Sequence, residues 1–74
     1  MGDEKRKHGK EMSKQLNARE TEIIKMVSEG ATYKHVARKL DLSLSMIKIY
    51  IRRSKDKLGA SNIGQVVALF LREE

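Results

Sequence analysis

The chain of 74 residues contains no cysteine, no proline and no tryptophan, and only one phenylalanine and two tyrosines. Without cysteine there is no disulfide, no thiolate nucleophile and no cysteine-ligated zinc. The absence of proline favours helices joined by short turns. Scarce aromatics leave Leu, Ile, Val and Met to fill a core, and 39% hydrophobic residues allow only a small one. No apolar run approaches the roughly 20 residues that span a bilayer. Residues 1–15 are charged throughout, with no apolar stretch of the signal-peptide kind. Arg6 stands where a myristoylation signal following Met1-Gly2 needs Ser or Thr. The expectation is one cytoplasmic domain with no membrane association.

Catalytic signatures are missing as well. His8 and His35 have no second ligand at metal spacing. There is no glycine-rich phosphate loop and no nucleophile elbow, and a chain this small has little room for a deep pocket. We therefore expect no metal, no cofactor, no small-molecule ligand and no enzymatic activity.

What is present is positive charge, and it is unevenly placed. The whole chain carries net +6, and residues 32–57 alone carry eight basic side chains against Asp41 and Asp56, again net +6. Concentration of charge on one segment is the sequence mark of a polyanion-binding surface. Residues 1–15 are polar and net +2, without apolar periodicity. They read as a disordered basic N-terminal arm ahead of a domain at 16–74.

Four helices and no strand follow from periodicity and capping. Asn17 with Glu20 forms a capping box, and Ile23, Ile24 and Val27 recur at helical spacing up to Gly30, placing a helix at 18–29. Thr32 caps a short helix with Val36, Ala37 and Leu40. Ser43 caps a longer one that runs to Leu58 and is stopped by Gly59. Asn62 with Gln65 forms a second capping-box signature, before a helix whose stripe Ile63, Val66, Val67 and Phe70 faces the core.

The two central helices have the makings of a helix-turn-helix. Ala37 is the small residue where the second helix crosses the first, and Val36, Leu40, Leu42, Ile47 and Tyr50 are the apolar anchors. Asp41 tolerates the positive φ that such a turn requires, although glycine does so more readily. With Ile47, Ile51, Ser54 and Leu58 inward, Ser45, Lys48, Arg52 and Lys55 face outward with Ile49 beside them. A basic stripe alone is an ordinary solvated face. On the second helix of such a pair it reads as a major-groove surface, with Lys48 and Arg52 donating to guanine and Ile49 touching a thymine methyl. Ser45, Lys48, Ile49 and Arg52 are thus the base-contacting candidates. Thr32, Tyr33, Lys34, Arg53 and Lys57 are the candidates for phosphate contact.

These residues resemble the LuxR-type, or GerE-like, helix-turn-helix family of bacterial transcription regulators over about 16–71. Leu16-Asn17-Ala18-Arg19-Glu20-Thr21-Glu22-Ile23-Ile24 is similar to the family's L-T-x-R-E-x-E-V-L. Gly30 with Lys34-His35-Val36-Ala37 is similar to G-x-x-x-K-E-I-A, Leu42-Ser43 with Ile47-Lys48 to I-S-x-x-T-V-K, and Lys57-Leu58-Gly59-Ala60 to K-L-G-V. Departures fall at His35, Met46, Tyr50, Arg53, Ser54 and Ile63. The resemblance implies an all-α, four-helix domain whose helix at 44–57 reads the major groove. It also implies that Lys48, Ile49 and Arg52 hold base-reading positions, that members dimerise through the last helix, and that a chain this short is a stand-alone form.

On that last helix Gly64, Ala68 and Leu71 form a second stripe with Leu69 beside it, the expected homodimer interface. A two-fold dimer would set its reading helices about 34 Å apart, one turn of DNA. The expected partner is double-stranded DNA, and the expected function is sequence-specific regulation of transcription. The alternative is a protein-interaction module that docks on RNA polymerase or another regulator without a DNA site of its own. A nonspecific nucleic-acid binder is the third reading, marked by steep salt dependence without sequence preference.

Overall fold

A computed structural model describes residues 16–73 and consists, over that range, of four helices with no strand. They are α1 (Ala18–Ser28), α2 (Tyr33–Leu40), α3 (Leu44–Leu58) and α4 (Ile63–Glu73). The basic arm read at 1–15 lies outside the described residues. No helix among them is long and apolar enough to cross a membrane.

Each helix begins where a side chain can satisfy an amide that has no partner within the helix. Asn17 Oδ1 accepts from the Glu20 amide at 2.8 Å, and Glu20 Oε1 accepts from the Asn17 amide at 3.0 Å, a complete capping box. Thr32 and Ser43 each accept from the amide three residues on, His35 and Met46, at 3.1 Å. The box at Asn62 is only half formed. Its side chain accepts from the Gln65 amide at 2.9 Å, but Gln65 reaches one residue further back, to the Ser61 amide at 2.6 Å.

The ends of α1, α2 and α3 share one geometry. Ala31 N–H donates to Met26, Leu42 to Ala37 and Ala60 to Lys55, each closing a six-residue loop around a residue with positive φ. That residue is Gly30 (φ 98°), Asp41 (φ 59°) or Gly59 (φ 66°). With the accompanying bonds from Gly30 to Val27, Asp41 to Arg38 and Gly59 to Asp56, this is a Schellman motif used three times. The residue that follows each turn, Ala31, Leu42 or Ala60, packs on the core, as the motif favours. A Cβ at Gly30 or Gly59 would meet no atom within 4 Å. Gly30→Ala and Gly59→Ala are therefore each expected to cost about 1 kcal/mol from backbone conformation alone. Urea unfolding measures this, and a loss near zero would show that the turn is not held at positive φ.

The core consists of Leu16, Ile23, Ile24, Val36, Ala37, Ile47, Ile51, Val66 and Phe70. α1 packs on each of the other three helices, α2 packs on α3, and Ala37 of α2 is buried. Burying an Ile or Val of this set contributes about 1.5–3 kcal/mol, which is how so short a chain offsets its ordering entropy.

One part of the α4 reading is corrected here. Val67 is half-buried but stands outside the packed cluster, whereas Leu69, expected at an exposed interface, packs on the core. Both lie at about 80° from the Val66–Phe70 ridge, on opposite sides, so periodicity cannot choose between them. The neighbouring helices choose Leu69.

Candidate nucleic-acid interface

α3 is anchored by its inner face. Ile47, Ile51 and Ser54 are buried, and the Ser54 hydroxyl donates to the Tyr50 carbonyl at 2.9 Å. That bond lets a polar residue stand in the core, because the hydroxyl enters it already satisfied. A rod fixed along one side presents the opposite side rigidly. Ser45, Lys48, Ile49 and Arg52 are all exposed there, as the sequence reading expects. Ile49 is 38% exposed and Leu44, at the start of the helix, 36%. Neither apolar side chain is among the described residues packed on the core.

The flanking candidates divide. Thr32 and Lys34 are exposed at the start of α2, and Arg53 is exposed on α3. The Thr32 oxygen accepts from His35, which leaves its hydroxyl hydrogen free to donate outward. Tyr33 is half-buried and packs on the core with part of its ring. It also lines a shallow depression together with Lys48, Ile51, Arg52 and Lys55. The tertiary structure thus brings the first residue of α2 against the basic side of α3.

Lys57 requires a correction. Sequence reasoning assigned it to the DNA backbone, but its ammonium lies 2.7 Å from Glu20 Oε1. The Glu20 side chain is fully buried and that of Lys57 is 38% exposed. Glu20 was read only as a capping residue. Besides capping through the Asn17 amide, its Oε1 also binds Lys57 at the end of α3, while Oε2 has no hydrogen-bond partner. No spacing in the sequence signals a pairing across 37 residues. The only hint was an acidic residue directly before the apolar stripe of α1.

Among the described residues, the basic segment has few acidic partners. Besides the Lys57 pair, the ion pairs among the described residues are Arg19–Glu22 at 3.6 Å and Lys25–Glu29 at 3.7 Å, both within α1 and its cap. Lys34, Arg38, Lys39, Lys48, Arg52, Arg53 and Lys55 have no carboxylate partner among the described residues. Unpaired cations gathered on two packed helices repel one another and attract a polyanion. No group of His, Asp or Glu among the described residues is arranged to hold a metal ion.

On the outer side of α4, Gly64, Ala68 and Leu71 are exposed, Leu71 by 53%. Val67 is half-buried and lies outside the residues packed on the core.

Comparison with known proteins agrees with this geometry. Residues 14–70 match the model of the family described as bacterial regulatory proteins, luxR family (GerE). The chain is 43% identical over 53 residues to the monoamine regulon transcriptional regulator of Klebsiella aerogenes, covering 72% of this chain and 23% of that protein. It is 45% identical over 47 residues to the transcriptional activator protein CarR of Pectobacterium carotovorum subsp. carotovorum, covering 64% and 19%. Against the methanol utilization control regulatory protein MoxX of Paracoccus denitrificans it is 35% identical over 57 residues, covering 77% and 26%. The chain spans about a quarter or less of the length of these relatives. No solved structure gives a significant match.

Proposed function

Because this chain belongs to the luxR family of bacterial regulatory proteins, we propose that it regulates transcription by binding double-stranded DNA in a sequence-specific manner, with α3 in the major groove. The observation that carries the proposal is the exposed set Ser45, Lys48, Ile49 and Arg52 on a helix held rigid by buried Ile47, Ile51 and Ser54. Lys48 and Arg52 donate to guanine edges, Ile49 meets a thymine methyl, and Ser45 bonds to either a base or the backbone. Thr32, Tyr33, Lys34 and Arg53 contact phosphates and set the register. Lys57 is left out of that group, since its charge is used within the fold. A second copy packs on the outer face of α4 through Gly64, Val67, Ala68 and Leu71, which places two reading helices one helical turn apart on an inverted repeat. Binding to chromosomal DNA places the protein in the cytoplasm.

Selection of bound fragments from random duplex DNA, with sedimentation of the free protein, tests the proposal. A recovered inverted repeat and a dimer that Leu71→Glu dissociates are the expected results. A stoichiometric protein partner with no DNA shift even at low salt would replace this reading with docking on RNA polymerase or another regulator. Lys34→Ala is expected to weaken all duplex sequences alike and to lower the salt slope by about 0.9, one phosphate contact. Unequal losses on specific and random duplex would move Lys34 to the base-reading set.

A further inference from the structure

The depression between α2 and α3 includes one cation, Lys55, that the base-reading assignment does not use. Its floor is Ile51, 5% exposed, and its rim carries Lys48, Arg52, Lys55 and the Tyr33 ring. Lys55 is half-buried, so part of its stem lies along the protein surface, whereas Lys48 and Arg52 are exposed. It has no carboxylate partner among the described residues. Lys48 and Arg52 beside it raise the positive potential at this edge of the depression, which favours an anion at Lys55.

Position along the helix separates Lys55 from the readers. It lies seven residues beyond Lys48, about 10 Å along the axis. The major groove is about 12 Å wide, so with the N-terminal half of α3 at the base edges, this later turn rises to the groove wall where the phosphates lie. Tyr33 faces the same depression from α2. Beside it the amides of Tyr33 and Lys34 are the first two of that helix, which have no partner within it, whereas the His35 amide is already taken by Thr32.

Resting on the DNA-binding reading above, we infer that Lys55 and Tyr33 form a clamp from both helices on a single backbone phosphodiester, with Lys55 as a DNA-binding residue in its own right. One phosphate held from both sides fixes the angle between α2 and α3 in the complex. It thereby couples backbone binding to the placement of Lys48 and Arg52. The Lys55 ammonium supplies the charge, and the Tyr33 hydroxyl supplies a neutral donor.

Duplex binding by the full chain, titrated across salt concentrations for Lys55→Gln, Tyr33→Phe and the double variant, tests the clamp. Lys55→Gln is expected to bind about threefold to tenfold more weakly on all sequences and to lower the salt slope by about 0.9. Tyr33→Phe keeps the ring packed and removes only the hydroxyl. A loss of about twofold to fivefold with unchanged slope is expected. Because both groups hold the same phosphate, the double variant should be no more than about twofold weaker than Lys55→Gln. An unchanged slope for Lys55→Gln, or losses that simply multiply, would overturn the clamp while leaving the DNA-binding reading intact. Thermal unfolding matching the wild type excludes a folding defect as the source of either loss. Inorganic phosphate distinguishes the anion's source. Saturation of amide shifts at Tyr33 and Lys55 below about 1 mM would assign the depression to a free anion instead of the duplex. A wild-type chain that shifts no duplex at low salt would sink both readings together.

Discussion

Replacing Lys57 by methionine is expected to destabilise the fold by about 2–3 kcal/mol. Removing one partner of a fully buried ion pair costs about 3–5 kcal/mol. Here the figure is reduced because the Lys57 side chain is 38% exposed and water shares in solvating its charge. The loss arises at Glu20. Its carboxylate is fully buried, Oε2 has no hydrogen-bond partner, and without Lys57 only the Asn17 amide remains on Oε1. A domain of this size has a total stability of about 3–9 kcal/mol, and a loss of 2–3 kcal/mol lowers Tm by about 10–20 °C. Urea and thermal unfolding measure it. The double variant Glu20→Gln/Lys57→Met should recover part of the loss, because Gln can still accept from Asn17 and no buried charge is left over. Lys57→Met within about 0.5 kcal/mol of the wild type would show that the pair is incidental. The same variant separates two roles for this lysine. If its charge belongs to the fold, the salt slope of duplex binding by the folded protein stays unchanged. A slope reduced by about 0.9 would return Lys57 to the phosphate-contacting set.

Arg52→Ala is the second large effect, on recognition instead of stability. Arg52 is exposed and has no ion-pair partner among the described residues, so truncating it leaves the folded state nearly unchanged. On a selected operator the loss should be about 1–3 kcal/mol, a factor of roughly 5 to 150 in Kd. On random duplex it should be only the few-fold expected of one lost charge. Lys48→Ala should behave in the same way, one helical turn earlier. Measuring both variants on both kinds of DNA separates base readout from electrostatics. An equal loss on operator and random duplex would place Arg52 on the backbone, and the specificity would then have to lie in Ser45, Ile49 or DNA shape. The prediction depends on the rigidity of α3, because a bidentate contact to guanine tolerates little movement of the helix that carries it.

Several features of this domain are decided within a few residues of chain, and they were legible from sequence. Asn17, Thr32 and Ser43 cap because a short polar side chain reaches an amide three residues on whatever else is nearby. Gly30 and Gly59 stop helices because they accept positive φ, and Asp41 does the same in the turn of the helix-turn-helix. The outward set Ser45, Lys48, Ile49 and Arg52 follows from helical periodicity once Ile47 and Ile51 are known to face inward. Covalent neighbours carry all of this information, so the four helices, the starts of the first three and the exposed basic face were readable in advance.

The tertiary structure alone decided what depends on how the helices cross. Val67 and Leu69 lie symmetrically about the inner ridge of α4, and only the surrounding helices determine which one packs. Lys57 looked like one more basic residue until the end of α3 met the buried carboxylate of Glu20. Tyr33 and Lys55 belong to different helices, and no spacing announces that they share a depression. Periodicity assigns a side chain to a face. The choice of partner on that face is made by the packing of one helix against another, through distances that no local pattern encodes.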